Sequence, residues 1–226
     1  MFFSNKIPKN IFMAWEGEAP KWVRNTFKLF SEMNKDFNCV LIDNLDIPKD
    51  SPFYDYSKGY DEYKFFKADL YRYHTLNKYG GIWIDCDTFP FKPIDKFLLR
   101  KKNFIVKTRP RGTNIVEEYM LDNYFMGCEK DSTFIKEILK RIERKIYLLK
   151  KFESPYDVSM FKLFKQEEIR KYVEPLDTSY TEEASYDECR NFFEWRNIDT
   201  IEPFNEESYL KHFRNNQYKN YLKRRQ

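Results

Sequence analysis

The sequence predicts a layered α/β domain. Over residues 1–150, short apolar runs that fit strands alternate with longer segments whose apolar residues recur at helical spacing. That is the pattern of helices packed on a sheet. A Gly80-Gly81 turn divides one such helix from one such strand. The third observation is positional: Trp15, Asp43 and the pair Asp85 and Asp87 fall at the carboxyl ends of strand candidates. Ligands collect at such ends in sheets of this class.

Ile7 to Trp15 reads as the first strand, entered through Pro8, with Ile11, Phe12, Met13 and Ala14 as its buried run. Pro20 opens an amphipathic helix in which Val23, Phe27, Phe30 and Met33 share a face. Cys39 to Ile42 is a second short strand, ending at Asp43, and Pro48, Pro52 and Gly59 mark a loop. A helix from about Glu62 to Lys78 follows, and Gly80 suits the left-handed residue that closes it. Ile82-Trp83-Ile84 is a short apolar strand, and Asn103–Lys107 and Asn123–Cys128 are two more. Asp131 or Ser132 caps a helix with Ile135, Ile138, Leu139, Ile142 and Ile146 on one face and charge on the other. Beyond Lys150 the periodicity weakens, and Ser154-Pro155 and Glu174-Pro175 punctuate short helical segments around Met160 to Lys171.

A chain of 226 residues fits one domain, and that size buries roughly 70% of the unfolded surface without staples. Aromatic residues make up 19% of it, which argues for a packed core and against disorder. The net charge of +4 is too small for a nucleic-acid footprint. Its basic excess gathers at Lys219, Lys223, Arg224 and Arg225, a cluster that fits a solvated tail or contact with an anionic membrane surface. Cys39, Cys86, Cys128 and Cys189 are widely spaced, which is neither a zinc pattern nor a disulfide framework. Cys86 is expected to point into the core as a small hydrophobe. With no signal-peptide run at Met1–Lys6 and no long apolar segment, the expected location is cytoplasmic.

The chemistry concentrates in residues 67–88. Asp85 and Asp87, at i and i+2 after a buried strand, are a poor design for a core. They suit a hard divalent cation shared with phosphate oxygens. Asp69 and Arg72, at i and i+3, share a helix face and can pair there. Trp15 either offers an indole face to a base or fills the edge of the core, and the residues alone leave both open. His74 lies off the Arg72 face and reads as structural. His212 is the other histidine, able to ligate a metal or meet a phosphate.

These residues carry a resemblance. Ile7-Pro8-Lys9-Asn10-Ile11-Phe12 with Trp15, Lys67-Ala68-Asp69 through Arg72 and Leu76, Tyr79-Gly80-Gly81-Ile82, Asp85-Cys86-Asp87, and Phe91 to Asp95 resemble the DXD-containing sugar transferases. These are the family 32 glycosyltransferases and their capsule-type and yeast mannosyl relatives, with clostridial glucosylating toxins further off. The match is specific over residues 7–95, loose over 120–165 and thin at the C-terminus. It implies a single GT-A-type domain with a mixed central sheet flanked by helices. Residues 1–130 would be the nucleotide-sugar core and 131–226 a helical, acceptor-side segment. It also implies a nucleotide-diphosphate sugar donor (UDP first, GDP second), a glycan or other hydroxyl acceptor, Mn²⁺ or Mg²⁺, and retention of anomeric configuration.

Position by position, the resemblance puts Trp15 at the base and Ala14 among the substrate-binding residues. Asp69 and Arg72 hold sugar hydroxyls, and Asp85 meets ribose and sugar. Asp87 ligates the metal, with Asp85 beside it. Asn123 stands near the donor sugar, and His212 meets metal or diphosphate. Two departures stand out. Trp83, in the substrate-facing part of the motif, replaces a frequent Tyr, so a hydroxyl contact is lost. Arg214-Asn215-Asn216-Gln217 replaces the usual Ser-Trp after the late histidine. The catalytic set is then Arg72, Asp85, Asp87 and Asn123. No residue stands out as a covalent nucleophile, so same-face attack fits retention better.

Two other readings compete. Ile84-Asp85-Cys86-Asp87-Thr88 resembles an aspartyl-phosphate loop, but in metal-dependent phosphohydrolases the Thr usually comes one residue later and the motif opens the chain. A non-catalytic nucleotide-sugar-binding module would bind donor with metal and never release nucleotide.

Overall fold

The structure is a computed structural model. It describes residues 6–45, 47, 49, 53–54, 64–108, 120–149, 168, 171–176, 180–184, 189, 192–194, 201, 206 and 208–213. The basic C-terminal cluster, residues 214–217 and most of the expected 160–171 helical stretch lie outside that set.

The first strand, β1 (Asn10–Ala14), leads into helix α1 (Lys21–Met33), and strand β2 (Asn38–Ile42) follows. Pro20 serves as the N-cap of α1, where its missing N–H costs nothing. Helix α2 (Lys64–Tyr79) then runs into strand β3 (Gly81–Ile84). Gly80, at φ 61°, closes α2 by donating its N–H to Leu76 O. A Cβ there would meet Lys130 N at 2.5 Å, so the turn tolerates no side chain. Strand β4 (Thr88–Pro90), a 3-10 helix (Lys96–Arg100) capped by Asp95, and strands β5 (Asn103–Thr108) and β6 (Met120–Cys128) come next. Helix α3 (Thr133–Leu149) is capped by the Ser132 hydroxyl, which accepts from Ile135 N; Asp131 takes a left-handed turn just before it. Short strands β7 (Glu174–Pro175), β8 (Thr181–Glu183) and β9 (Leu210–His212) complete the described elements.

Six strands form a mixed sheet in the order β2-β1-β3-β6-β5-β7. β1 pairs parallel with β2 and β3, while β6 runs antiparallel to β3 and β5. The Glu174-Pro175 break is itself strand β7, at the sheet edge, where a proline is tolerated. Strand alternation sorts the core into two faces. Ile11, Met13, Ile82 and Ile84 join Val23 and Phe30 of α1; Phe12 and Trp83 join Leu70 and Leu76 of α2 and Phe134, Ile135, Ile138 and Ile142 of α3. Each of these fully buried side chains stabilises by about 1.5–3 kcal/mol relative to exposure. The result is a helix–sheet–helix sandwich with a mixed sheet, as expected.

A second sheet, β4-β9-β8, had no signature in the sequence. The segment after its first strand is tied to the end of α1 by Asn34, which is buried and accepts from Ile94 N while its amide donates to Phe30 O. No helix among the described residues is long and apolar enough to cross a membrane.

Candidate active site

The alternation of β3 decides where its acids go. Trp83 faces α2, and Asp85, two residues on, is delivered to the same side. Asp85 Oδ1 accepts from Arg72 Nη2 at 2.6 Å and from the Trp83 indole N–H at 2.8 Å. Arg72 Nη1 donates to Asp69 Oδ1 at 2.9 Å, one turn back on α2. The guanidinium carbon also lies 5.3 Å from the centre of the Trp83 ring. Cys86, facing the other way, is buried, and its thiol donates to Ala14 O at the end of β1. Burial, first, and the neighbouring acids push that thiol far up, so it behaves as the small hydrophobe the sequence predicts.

Asn123 reaches the same network from β6. The β5–β6 register jumps there: Ile105 faces Met126 but Val106 faces Asp122. The β5 ladder skips residues 123–125, while Phe125 still pairs with Ile84 of β3, and such register shifts re-aim side chains. The Asn123 N–H is held by the Asp122 carboxylate at 2.8 Å. Its side-chain amide donates to Asp69 Oδ1 at 3.0 Å and to the Tyr73 hydroxyl at 2.9 Å.

The chain then turns at Asp87 into β4, where the second sheet does its work. Thr88 pairs with His212, and Phe213 N donates to Asp87 O at 2.7 Å. His212 Nε2 lies 3.3 Å from Asp87 Oδ1, and its ring stacks on Tyr124 at 3.9 Å with 16° between the planes. Phe213 stacks on Phe192 at 4.1 Å, and Phe192 meets Trp22 at 5.5 Å. Trp22 in turn stands edge-on to Trp15 at 5.2 Å. An aromatic run thus ties the strand carrying His212 to the end of β1. Trp15 itself is half-buried, and its backbone N–H donates to Ile42 O. Asp43, at the end of β2, is exposed. His74 meets the Phe53 ring edge-on, a packing role.

Asp85, Asp87 and His212 each offer a ligand atom, and these atoms lie within 4.8 Å of one another. Two carboxylates and an imidazole fit an oxygen-preferring divalent cation. The electrostatics agree. Burial pushes the Asp85 carboxyl up to about 6, Arg72 opposes that, and Asp87 adds to it. Asp69 is also raised, chiefly by burial, against the pull of Arg72 and Asn123. Burial opposes the Arg72 charge, but Asp85 and Asp69 overcome it and its pKa rises. Acid outweighs base here, so a bound cation would relieve the like-charge repulsion.

The structure therefore brings Asp69, Arg72, Trp83, Asp85, Asp87, Asn123 and His212 together, with Ala14 joined through Cys86. Trp83 holds Asp85 from a fully buried position. Sequence reasoning missed Tyr73 and Tyr124. Tyr73 stands four residues after Asp69, and that i, i+4 spacing on one helix face was the available signal. Tyr124 carried none, because its partner is distant in sequence.

Sheet order and strand-end acids define the GT-A class of glycosyltransferase fold. A galactosyltransferase, LgtC, solved with donor and acceptor sugar analogues, is similar over 91% of this chain and 87% of its own, at TM-score 0.52 and 10% identity. The PaToxG glycosyltransferase is similar over 73% and 70%, at TM-score 0.51 and 17% identity. Residues 2–223 match the model of the capsular polysaccharide synthesis protein family, and the chain belongs to that family. Two yeast proteins are similar in sequence. Inositol phosphoceramide mannosyltransferase 3 of Schizosaccharomyces pombe is 30% identical over 149 residues, 62% of this chain and 38% of that protein. Mannosyl phosphorylinositol ceramide synthase CSH1 of Saccharomyces cerevisiae is 29% identical over 144 residues, 61% of this chain and 35% of that protein. The chain thus spans well under half the length of either relative.

Proposed function

We propose that the protein is a metal-dependent, retaining glycosyltransferase that moves a sugar from a nucleotide-diphosphate sugar to a hydroxyl of a glycan or glycoconjugate. The observation that carries this reading is the Asp85–Asp87–His212 group beside the buried Arg72 network. The family and the yeast mannosyltransferases support the reaction class. UDP is the first expectation for the donor nucleotide and GDP the second, with Trp15 as the stacking face for the base.

Asp87 and His212, with Asp85 beside them, would hold Mn²⁺ or Mg²⁺; the imidazole nitrogen favours the former. Bound there, such a cation would supply Lewis-acid stabilisation of the leaving diphosphate. The chain's residues do the rest. Asp69, Arg72 and Asn123 are locked to one another before any sugar arrives, so little ordering is left to do on binding. Arg72 adds positive charge near the departing diphosphate. Asp85 is pinned by two donors on one oxygen, which suits a binding role better than attack as a phosphoenzyme nucleophile. That weighs against the phosphohydrolase reading.

A thermal-shift panel of nucleotide sugars with and without Mn²⁺ tests this, since a ligand stabilises in proportion to its affinity. One donor should raise the melting temperature only with metal, and free nucleotide should be released slowly in its presence. Asp87→Asn should abolish metal-dependent donor binding by calorimetry and leave the melting temperature of the free protein nearly unchanged. A phosphoenzyme trapped at Asp85, or unchanged binding in Asp87→Asn, would sink the assignment.

A further inference from the structure

The proposed donor site occupies one end of the strands. At the other end lie the approach to β1, the close of α2, the 3-10 helix and the link from β6 to α3. These segments pack together. Lys6 N and Ile7 N donate to Leu99 O, and a Cβ at Gly80 would meet Pro8 Cδ at 2.9 Å and Lys130 N at 2.5 Å. Lys6, Lys78, Lys102 and Lys130 are all exposed there. Three acids of this end are already held by other lysines: Asp36 by Lys9 and Lys96, Asp131 by Lys136, and Glu174 by Lys101. They do not neutralise the exposed four, so this end presents positive charge.

It also presents rings. Among the described residues, the large apolar side chains that stand exposed are Tyr79, at 48%, and Phe97, at 52%, and both lie on this end. Each has a lysine against it. Lys78 Nζ is 5.1 Å from the centre of the Tyr79 ring, and Lys101 Nζ is 4.9 Å from that of Phe97. A protein partner would need a shaped groove for each of two separate rings. The headgroup layer of a bilayer needs none, because it accepts aromatic rings and sets phosphates beside the ammonium groups.

We propose that this end of the sheet docks on an anionic lipid surface. Tyr79 and Phe97 enter the headgroup layer, and the lysines around them meet phosphates. The contact does not depend on the donor-site reading, but it orients that site. β1 is five residues long, about 17 Å of rise, so the Asp85–Asp87–His212 group lies at the far end of the sheet from the lipid.

The test is cosedimentation of the full chain with vesicles of phosphatidylcholine alone and with about one third phosphatidylglycerol. Wild type should bind the anionic vesicles at least about tenfold better, and the preference should collapse between about 0.1 M and about 0.5 M salt. Lys102→Glu with Lys130→Glu should weaken that binding about tenfold or more, since each lysine near such a surface raises binding about fivefold. Lys140→Glu with Arg144→Glu makes the same charge change at exposed positions of α3 and should weaken it less than about threefold. Tyr79→Ser with Phe97→Ser should weaken binding and keep its salt dependence. Melting curves check that each variant folds. Phe97→Trp reads the contact without removing charge: its emission should shift to the blue and be quenched by brominated acyl chains, on anionic vesicles only.

Equal binding to the two kinds of vesicle, or equal losses in the two charge-reversed variants, overturns the proposal. So does binding that survives in Lys102→Glu with Lys130→Glu and vanishes when Lys219, Lys223, Arg224 and Arg225 are neutralised, which gives the contact to the C-terminal cluster. Retention on heparin without vesicle binding would leave a basic face with no lipid role and overturn it as well. None of these results touches the donor-site reading, which nucleotide sugars test in the absence of lipid.

Discussion

Two ion triads in this protein have matching geometry and opposite charge. In one, Arg72 sits between Asp69 and Asp85, at 2.9 and 2.6 Å. In the other, Asp36 sits between Lys9 and Lys96, at 2.8 and 3.2 Å. Their acids respond in opposite directions. Hydrogen bonds from Lys9 and then Lys96 pull Asp36 down to about 2, with burial contributing little against them. Asp85 has a shorter bond to its cation, yet burial is the largest influence on it and pushes it up to about 6. Distance to a cation therefore does not set the state of a carboxylate in this fold. Asp36 has two cations to itself and little desolvation, whereas Asp85 shares Arg72 with Asp69, stands beside Asp87 and feels burial most of all. The exposed triad fastens the turn before β2 to the start of β1 and the 3-10 helix. The buried one keeps negative charge under tension where a cation and a sugar are proposed to bind.

The largest expected effect comes from removing the centre of the buried triad. Arg72→Met leaves Asp69 and Asp85 facing each other with no cation between them. Breaking a buried pair costs several kcal/mol; the loss here should be on the order of 3 kcal/mol, because the two acids keep 20% and 30% of their side-chain exposure. Urea unfolding of the metal-free protein measures it. Donor binding should vanish in the same variant. A loss under about 1 kcal/mol, the scale of a surface pair, would erase the distinction between the two triads.

A smaller change sharpens the electrostatic half of the comparison. The Trp83 N–H to Asp85 is one of the influences holding that carboxyl down. Trp83→Phe should cost about 1–3 kcal/mol from lost packing and the lost bond. It should also move a pH dependence. Asp85 is raised above its unfolded value, so between about pH 4 and pH 6 the folded state binds more protons than the unfolded one. This group's contribution therefore makes the metal-free protein less stable as pH rises through that window. In Trp83→Phe the decline should extend to higher pH. A profile unchanged from wild type would show that the indole N–H does not govern Asp85.

The buried triad was partly legible in the sequence. Asp69 and Arg72 share a helix face by spacing alone, and Gly80-Gly81 with an apolar strand announced where Asp85 and Asp87 would emerge. Such signals are local, which is why they survive in one sequence. The link from Arg72 to Asp85 spans a turn and a strand, and only the packing of α2 on the sheet makes it. The second sheet left less trace. β9 is three residues long, with a buried lysine at Lys211, so no alternation marks it. Its pairing of His212 with Thr88 joins distant parts of the chain. The resemblance anticipated His212, but the strand that seats it was invisible. Asn123 was expected near the sugar for the same reason, while the register shift that turns it there depends on β5.

The smallest predicted effect isolates the exposed triad. Asp36→Asn keeps the side-chain shape and removes the charge that Lys9 and Lys96 share. Asp36 is held below its unfolded value, so its ionised form favours the folded state. That contribution is fully present above about pH 4 and is lost as pH falls toward about 2. The difference in denaturation midpoint between wild type and variant should be small and constant near neutrality, then shrink to nothing in acid. It should also fade with added salt, because these side chains are open to screening ions. Metal-dependent donor binding should not change. Should Asp36→Asn instead grow more different from wild type below pH 4, Asp36 would be responding to burial as Asp85 does, and solvent exposure would no longer explain why the two triads diverge.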